Sequence, residues 1–186
     1  MAVTAIDPNC ALIVIDLQKG IVSLPAVHPL DGVVRNVAAL GDVFRARGLP
    51  VVLVNVAGTP PGRTERQRPQ LDLPSDWADL LPELNRQPQD HAVTKRTPGA
   101  FTDTGLEDHL KSAGVTQVVV VGVATSIGVE VTARQAYELG FNVTLAIDAM
   151  TDVEEDGHVW SVERVFPRIS ETGTTRDVID LLERRA

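Results

Sequence analysis

Residues 117–134, QVVVVGVATSIGVEVTAR, restrict the possible folds more than any other stretch of the chain. Gln117 to Val121 is too short to cross a membrane and too β-branched to open a helix comfortably. It reads as a strand buried on both faces of a parallel sheet. Small residues follow at once: Gly122, Ala124, Thr125, Ser126 and Gly128. A strand that ends in small residues and opens a helix leaves backbone N–H groups at its mouth, where an anion or a developing oxyanion can sit. Taken alone, the stretch reads more simply as an ordinary βα turn.

Other runs repeat the signature. Ala11 to Ile15 is a continuous apolar run that delivers Asp16 at its C-terminal end, followed by Leu17, Gln18, Lys19 and Gly20. In open α/β sheets this edge is where ligands bind. Val33, Val37, Leu40 and Phe44 recur at helical spacing within 30–47, and Gly48 stands where a C-terminal cap belongs. Val51 to Val56 is a further buried strand, so the opening third is a βαβ unit with a right-handed crossover. His91 to Arg96 is a short strand carrying Lys95. Thr104 with Glu107 forms a capping box for a helix through Ala113, closed by Gly114. Val129, Ala133, Ala136 and Tyr137 share one face of the helix after the central strand. Asn142 to Ile147 is a strand ending at Asp148, and Thr151 with Glu154 caps a helix carrying Val159, Val162 and Phe166. Arg168 to Ser170 is a last strand, and Thr174 to Arg184 a closing helix with Val178, Leu181 and Leu182 inward. Strands alternating with helices predict a parallel sheet covered on both faces, in one domain over 1–186.

Residues 57–94 break this rhythm and hold six of the chain's twelve prolines. A loop of that length is usually functional or partly disordered. Trp77 with Leu80, Leu81 and Leu84 predicts a short helix that packs the loop down or faces a neighbouring subunit. Arg63, Arg66 and Arg68 place positive charge in a chain whose net charge is -8. They either meet a substrate carboxylate or sit solvated. The overall charge excludes non-specific binding to nucleic acid or anionic membranes, so a small molecule or a protein is the expected partner. Without a membrane-length apolar run or a signal-like N-terminus, the expected location is the cytoplasm. The single cysteine, Cys10, can make no internal disulfide.

Three strand ends thus converge on one sheet edge: Asp16, Lys95 and the 122–128 turn. A carboxylate and an ammonium beside backbone donors form an acid/base site with an oxyanion cradle. The segments LIVIDLQKG, KRTPGAFTDTGLEDHL and VVVVGVATSIGVEVTARQAYELGFNVTLAIDAM resemble the isochorismatase-like family of cysteine hydrolases, from about Ala11 to the last helix. The resemblance implies a Rossmann-like three-layer α/β/α sandwich with a mostly parallel sheet of about six strands, commonly assembled into a homodimer or larger homo-oligomer. It puts the family's catalytic Asp on Asp16, its Lys on Lys95, and its oxyanion turn, which usually holds a non-proline cis peptide, on Val123 and Ala124. Thr125, Gln18 and Arg63 join Ala124 as candidate substrate contacts.

One departure stands out. Amidase members carry their nucleophilic cysteine where this chain has Gly128. Cys10 should lie at the opposite sheet edge, and two residues along a helix turn Ser126 by about 200°, away from the site. His28, His91, His109 and His158 are scattered, with no matched partner. A glycine here also resembles the true isochorismatases, in which an Asp acts as general acid on a vinyl ether, a Lys orients it and water attacks. Those enzymes typically read YAHIG where this chain reads ATSIG, and the surrounding text is closer to the amidase branch. The resemblance therefore implies a hydrolase using Asp16 and Lys95 beside Gly128 without a thioester. A catalytically silent binder of a small ligand or protein, and a non-hydrolytic biosynthetic enzyme, stay open. After the second strand VNVAGTPPGR lacks the histidines that hold the metal of nicotinamidase relatives, and no dinucleotide fingerprint follows the first strand. Neither a metal nor another cofactor is expected.

Overall fold

The computed structural model describes residues 3–65 and 73–184. Its strands are β1 (Cys10–Ile15), β2 (Val51–Val56), β3 (His91–Lys95), β4 (Gln117–Val123), β5 (Asn142–Thr151) and β6 (Glu171–Gly173). They form one sheet in the order β3-β2-β1-β4-β5-β6, parallel at every pairing. The order reverses direction between β1 and β4, which is the switch point where such sheets open a crevice at their C-terminal edge.

Alternation along the strands builds two cores. Cys10, Leu12 and Val14 of β1 and Val119, Val121 and Val123 of β4 face α2 (Leu30–Ala46) and α6 (Thr175–Glu183). Ala11, Ile13 and Ile15 with Val118 and Val120 face α3 (Leu106–Ser112) and α4 (Glu130–Glu138). Both faces of the sheet are therefore dry, which is why its strands read as unbroken apolar runs. Two glycines let the layers close. Gly48, at φ 66, ends α2 as expected. Gly122, at φ 117, brings β4 so near β1 that a Cβ would lie 2.1 Å from the Ile15 carbonyl oxygen.

Several local expectations are corrected. Thr104 forms no capping box with Glu107: its hydroxyl donates to the Ala100 carbonyl and accepts the Leu106 N–H at 3.3 Å, and Gly105 at φ 72 is the N-cap of α3. Thr151 ends β5 instead of capping α5 (Glu155–Trp160); Asp152 takes the N–H groups of Val153 and Glu154. β5 runs past Asp148, which binds the Thr175 N–H and hydroxyl at the start of α6. The last strand begins three residues later than expected because Pro167 lies in a 3-10 turn, Phe166–Arg168. Tyr137 and Val159 point outward, at 53% and 41% exposure; Tyr137 stands next to the buried stripe of α4, and α5 buries none of its own residues. The Trp77 helix is a turn followed by a 3-10 turn at Pro82–Leu84. The Trp77 indole covers Gly20, where a Cβ would fall 2.0 Å from Nε1.

Candidate functional site

β1 ends at Ile15, and Asp16 follows with a φ of 50, in a region that L-residues visit sparingly and that recurs at functional sites. Lys95 is the last residue of β3, two strands away, and its long side chain reaches the same point. Lys95 Nζ lies 2.8 Å from Asp16 Oδ2, with 2% and 8% of the two side chains exposed. The ammonium also donates to the carbonyls of Thr97 (3.2 Å) and Pro98 (2.9 Å), so all three of its protons have acceptors. Asp16 is less well served. Its Oδ1 is buried and meets no donor among the described residues. Burial raises the Asp16 carboxyl from 3.8 to about 6, the Lys95 charge and hydrogen bond opposing the rise without cancelling it.

The end of β4 completes the corner. The Val123–Ala124 peptide is cis, and a π-helical turn, Thr125–Val129, leads into α4. Gly128 is buried against Asp16: a Cβ there would stand 3.3 Å from Asp16 Oδ2, 3.2 Å from the Val123 carbonyl and 2.9 Å from Ile15 Cγ2. Any side chain at 128 would therefore enter the space beside the carboxylate. Several of the turn's backbone donors are already taken. Ser126 N–H goes to Asp152 Oδ2 (2.6 Å), and those of Ile127 and Val129 go to the Ala124 carbonyl. The expected open cradle is thus narrower than a run of small residues suggests.

The remaining candidates separate. Gln18 is fully buried, and its amide is occupied: Oε1 accepts from Val56 N–H, and Nε2 donates to the carbonyls of Val56 and Trp77. It is a bracket between β2 and the long loop, not a free substrate contact. Arg63 is exposed on that loop, and Arg66 and Arg68 lie outside the described residues. Cys10 opens β1, six residues before Asp16, and at ~3.3 Å per residue is about 20 Å from it.

Sequence reasoning missed a second group of residues beside the turn. The buried hydroxyl of Thr125 lies 2.9 Å from His158 Nδ1. His28 lies with its ring centroid 4.6 Å from that of His158, and its N–H and Nδ1 both meet Thr151 Oγ1. His91 stacks on His109 at 3.6 Å. The histidines are therefore paired, contrary to the expectation of scattered, partnerless rings. Their pairing joins residues more than a hundred positions apart in one case, so no local spacing announces it. Asp152, the first residue after a buried strand, did carry a signal, but Asp148 drew it. Among the described residues, no three His, Cys, Asp or Glu side chains gather to hold a metal, and no helix is long and apolar enough to cross a membrane.

Comparison with known proteins agrees with this fold. The Isochorismatase domain matches residues 10–177. The chain is 38% identical over 182 residues to the isochorismatase family protein YwoC of Bacillus subtilis, covering 91% of this chain and 92% of that one. It is 31% identical over 163 residues to Nicotinamidase 3 of Arabidopsis thaliana, covering 82% and 79%. An isochorismatase family structure from Burkholderia thailandensis superposes with a TM-score of 0.92 at 39% identity, over 96% of this chain and 98% of the other. With a matching domain, a matching fold and hydrolases among its relatives, the chain belongs to the isochorismatase family of hydrolase-like proteins.

Proposed function

We propose that this chain is a cofactor-free hydrolase of small carbonyl- or carboxylate-bearing metabolites, working through Asp16 and Lys95 with water as the attacking group and without a thioester. The observation that carries this reading is the buried Oδ1 of Asp16, which meets no donor among the described residues, on a carboxylate whose other oxygen stands beside Gly128. An anionic oxygen buried without a donor costs on the order of 1–3 kcal/mol or more, a cost that a proton or a bound ligand removes. With the carboxyl raised to about 6, roughly a tenth of it is protonated at pH 7. That is enough for a general acid.

On a vinyl ether the proton passes from Asp16 to the terminal alkene carbon, leaving an oxocarbenium ion. Water adds to the cationic carbon and returns a proton to Asp16, and the hemiketal collapses to a ketone and an alcohol. Lys95, with its donors committed to Asp16 and two carbonyls, orients the carboxyl and balances its charge instead of binding substrate. Gly128 leaves room for the water or the substrate where a thiol would otherwise stand.

The test is a panel of vinyl ethers, amides and ureas assayed with the wild type, Asp16→Ala and Gly128→Cys. Turnover of a vinyl ether by the wild type, lost by about 10²–10⁴-fold in Asp16→Ala with the fold intact by circular dichroism, supports the proposal. Full activity of Asp16→Ala removes it. An inert wild type whose Gly128→Cys variant hydrolyses amides would instead mark an intact frame lacking only its nucleophile.

A further inference from the structure

β4 lies between β1 and β5, so the turn that follows it has Asp16 on one side and the β5–α5 corner on the other. The mechanism above uses only the first side. The second grips the turn at two consecutive residues. Asp152 Oδ2 takes the Ser126 N–H at 2.6 Å, and its Oδ1 accepts from Val153 and Glu154 N–H, so the carboxylate is fixed to the entry of α5. His158, one turn into α5, reaches back to Thr125 Oγ1 at 2.9 Å. That hydroxyl is completely buried and stands two residues beyond the first residue of the cis peptide. The imidazole is itself held in place: it leans on His28, which is tied to Thr151 by two contacts of 3.0 and 3.2 Å.

A buried hydroxyl with one strong partner has its rotamer and its proton direction set by that partner. Burial and, after it, the neighbouring His28 hold the His158 imidazole below its ordinary range, with Asp152 pulling the other way. The ring is therefore neutral at pH 7, and its tautomer decides whether Thr125 donates to Nδ1 or accepts from it. A shift of the hydroxyl propagates into the turn that carries Ala124 and Gly128 against the Asp16 carboxyl.

We propose that His158 is a positioning residue for the reaction at Asp16, acting through the Thr125 hydroxyl to fix the 124–128 turn; this rests on the hydrolase reading given above. Four variants and one spectrum test it on the full chain. With the best-turned-over vinyl ether of the panel, His158→Leu and Thr125→Val each lower kcat on the order of 10- to 100-fold, with KM changed less than threefold. The double variant is no slower than the slower single one, because both remove the same contact. His158→Asn, whose side-chain amide puts a polar atom near the place of Nδ1, recovers most of the rate. In ¹⁵N–¹H correlation spectra without substrate, the His158 Nδ1 resonance moves in Thr125→Val.

Losses that multiply in the double variant, a kcat for His158→Leu within twofold of the wild type, failure of His158→Asn to exceed His158→Leu, or an unmoved Nδ1 resonance each overturn the proposal. Asp16→Ala separates its failure from that of the underlying reading. If Asp16→Ala is dead while His158→Leu is fully active, only the role of His158 falls; if Asp16→Ala is fully active, or the wild type turns over no compound of the panel, both fall.

Discussion

Two buried ion pairs sit at opposite ends of β3, and they are built differently. At its N-terminal end Asp90 meets Arg45 of α2 in a two-pronged contact, Nη2 to Oδ2 at 2.8 Å and Nε to Oδ1 at 3.1 Å, with 1% of the Asp90 and 10% of the Arg45 side chain exposed. Asp90 Oδ2 also accepts the Gln87 N–H, and Arg45 also donates to the Leu84 carbonyl. Both carboxylate oxygens are served. At the C-terminal end Lys95 serves one oxygen of Asp16, and the other meets no donor among the described residues. A pair completed on all sides fastens elements together, here α2 to the approach to β3. A pair left incomplete in a dry corner keeps one carboxylate oxygen desolvated, which is the setting in which carboxyl pKa values are displaced.

The contrast breaks first on Asp90→Ala. Removing one partner of a buried, bonded pair strands the other charge, and such losses run to about 3–5 kcal/mol. Arg45 keeps the Leu84 carbonyl and a 3.4 Å contact with the largely exposed Asp42, which places the expected loss near the lower end of that range. Urea unfolding should show it as a lower midpoint with an unchanged slope, while turnover per folded molecule stays within twofold. A loss of turnover in the folded fraction would erase the distinction between the two ends of β3.

A titration sharpens the contrast. Because the folded-state value for Asp16 is raised from 3.8 to about 6, the native protein binds this proton more tightly than the unfolded chain does. The stability so contributed is whole below pH 3.8 and is lost as pH rises through about 6. The stability of the wild type relative to Asp16→Asn should therefore fall across that window. If, as proposed, the same group is the proton donor, kcat/KM should be flat on the acid side and drop toward tenfold per pH unit above about 6. A rate that rises through this window would make Asp16 a base and would favour amide over vinyl ether chemistry.

How much of this was legible in the chain follows from where the information lies. The strands were legible because a parallel strand buried on both faces writes itself as a run such as ALIVI or VVLVNV, and their shared edge placed Asp16, Lys95 and the 122–128 turn together before any coordinates. Gln18 misled because a polar residue next to a candidate acid looks the same in sequence whether its amide faces a ligand or, as here, the backbone of Val56 and Trp77. Thr104 and Thr151 matched a capping pattern, yet a left-handed glycine displaced one and an extended β5 absorbed the other. His28 and His158 could not be read at all. Their meeting depends on how a loop before α2 lies over the end of β5, which is a property of packing and not of spacing.

The smallest expected effect supplies the baseline against which both buried pairs are judged. On α3 Lys111 Nζ stands 2.6 Å from Glu107 Oε1, one helical turn away, with 52% and 38% of the side chains in contact with solvent. Distance alone would rank this the strongest of the three pairs. Solvent screening and the entropy of fixing two long side chains reverse that ranking, and pairs of this kind contribute about 0.3–0.5 kcal/mol. Lys111→Ala should lower stability by no more than about that amount, with Ala's helix propensity offsetting part of the loss. The difference should fade further in salt, while that of Asp90→Ala persists, since buried pairs are screened far less. A salt-independent loss above about 1 kcal/mol for Lys111→Ala, beyond what an exposed pair supplies, would mean that burial is not what separates the pairs, and the argument from Asp16's bare oxygen would lose its physical footing.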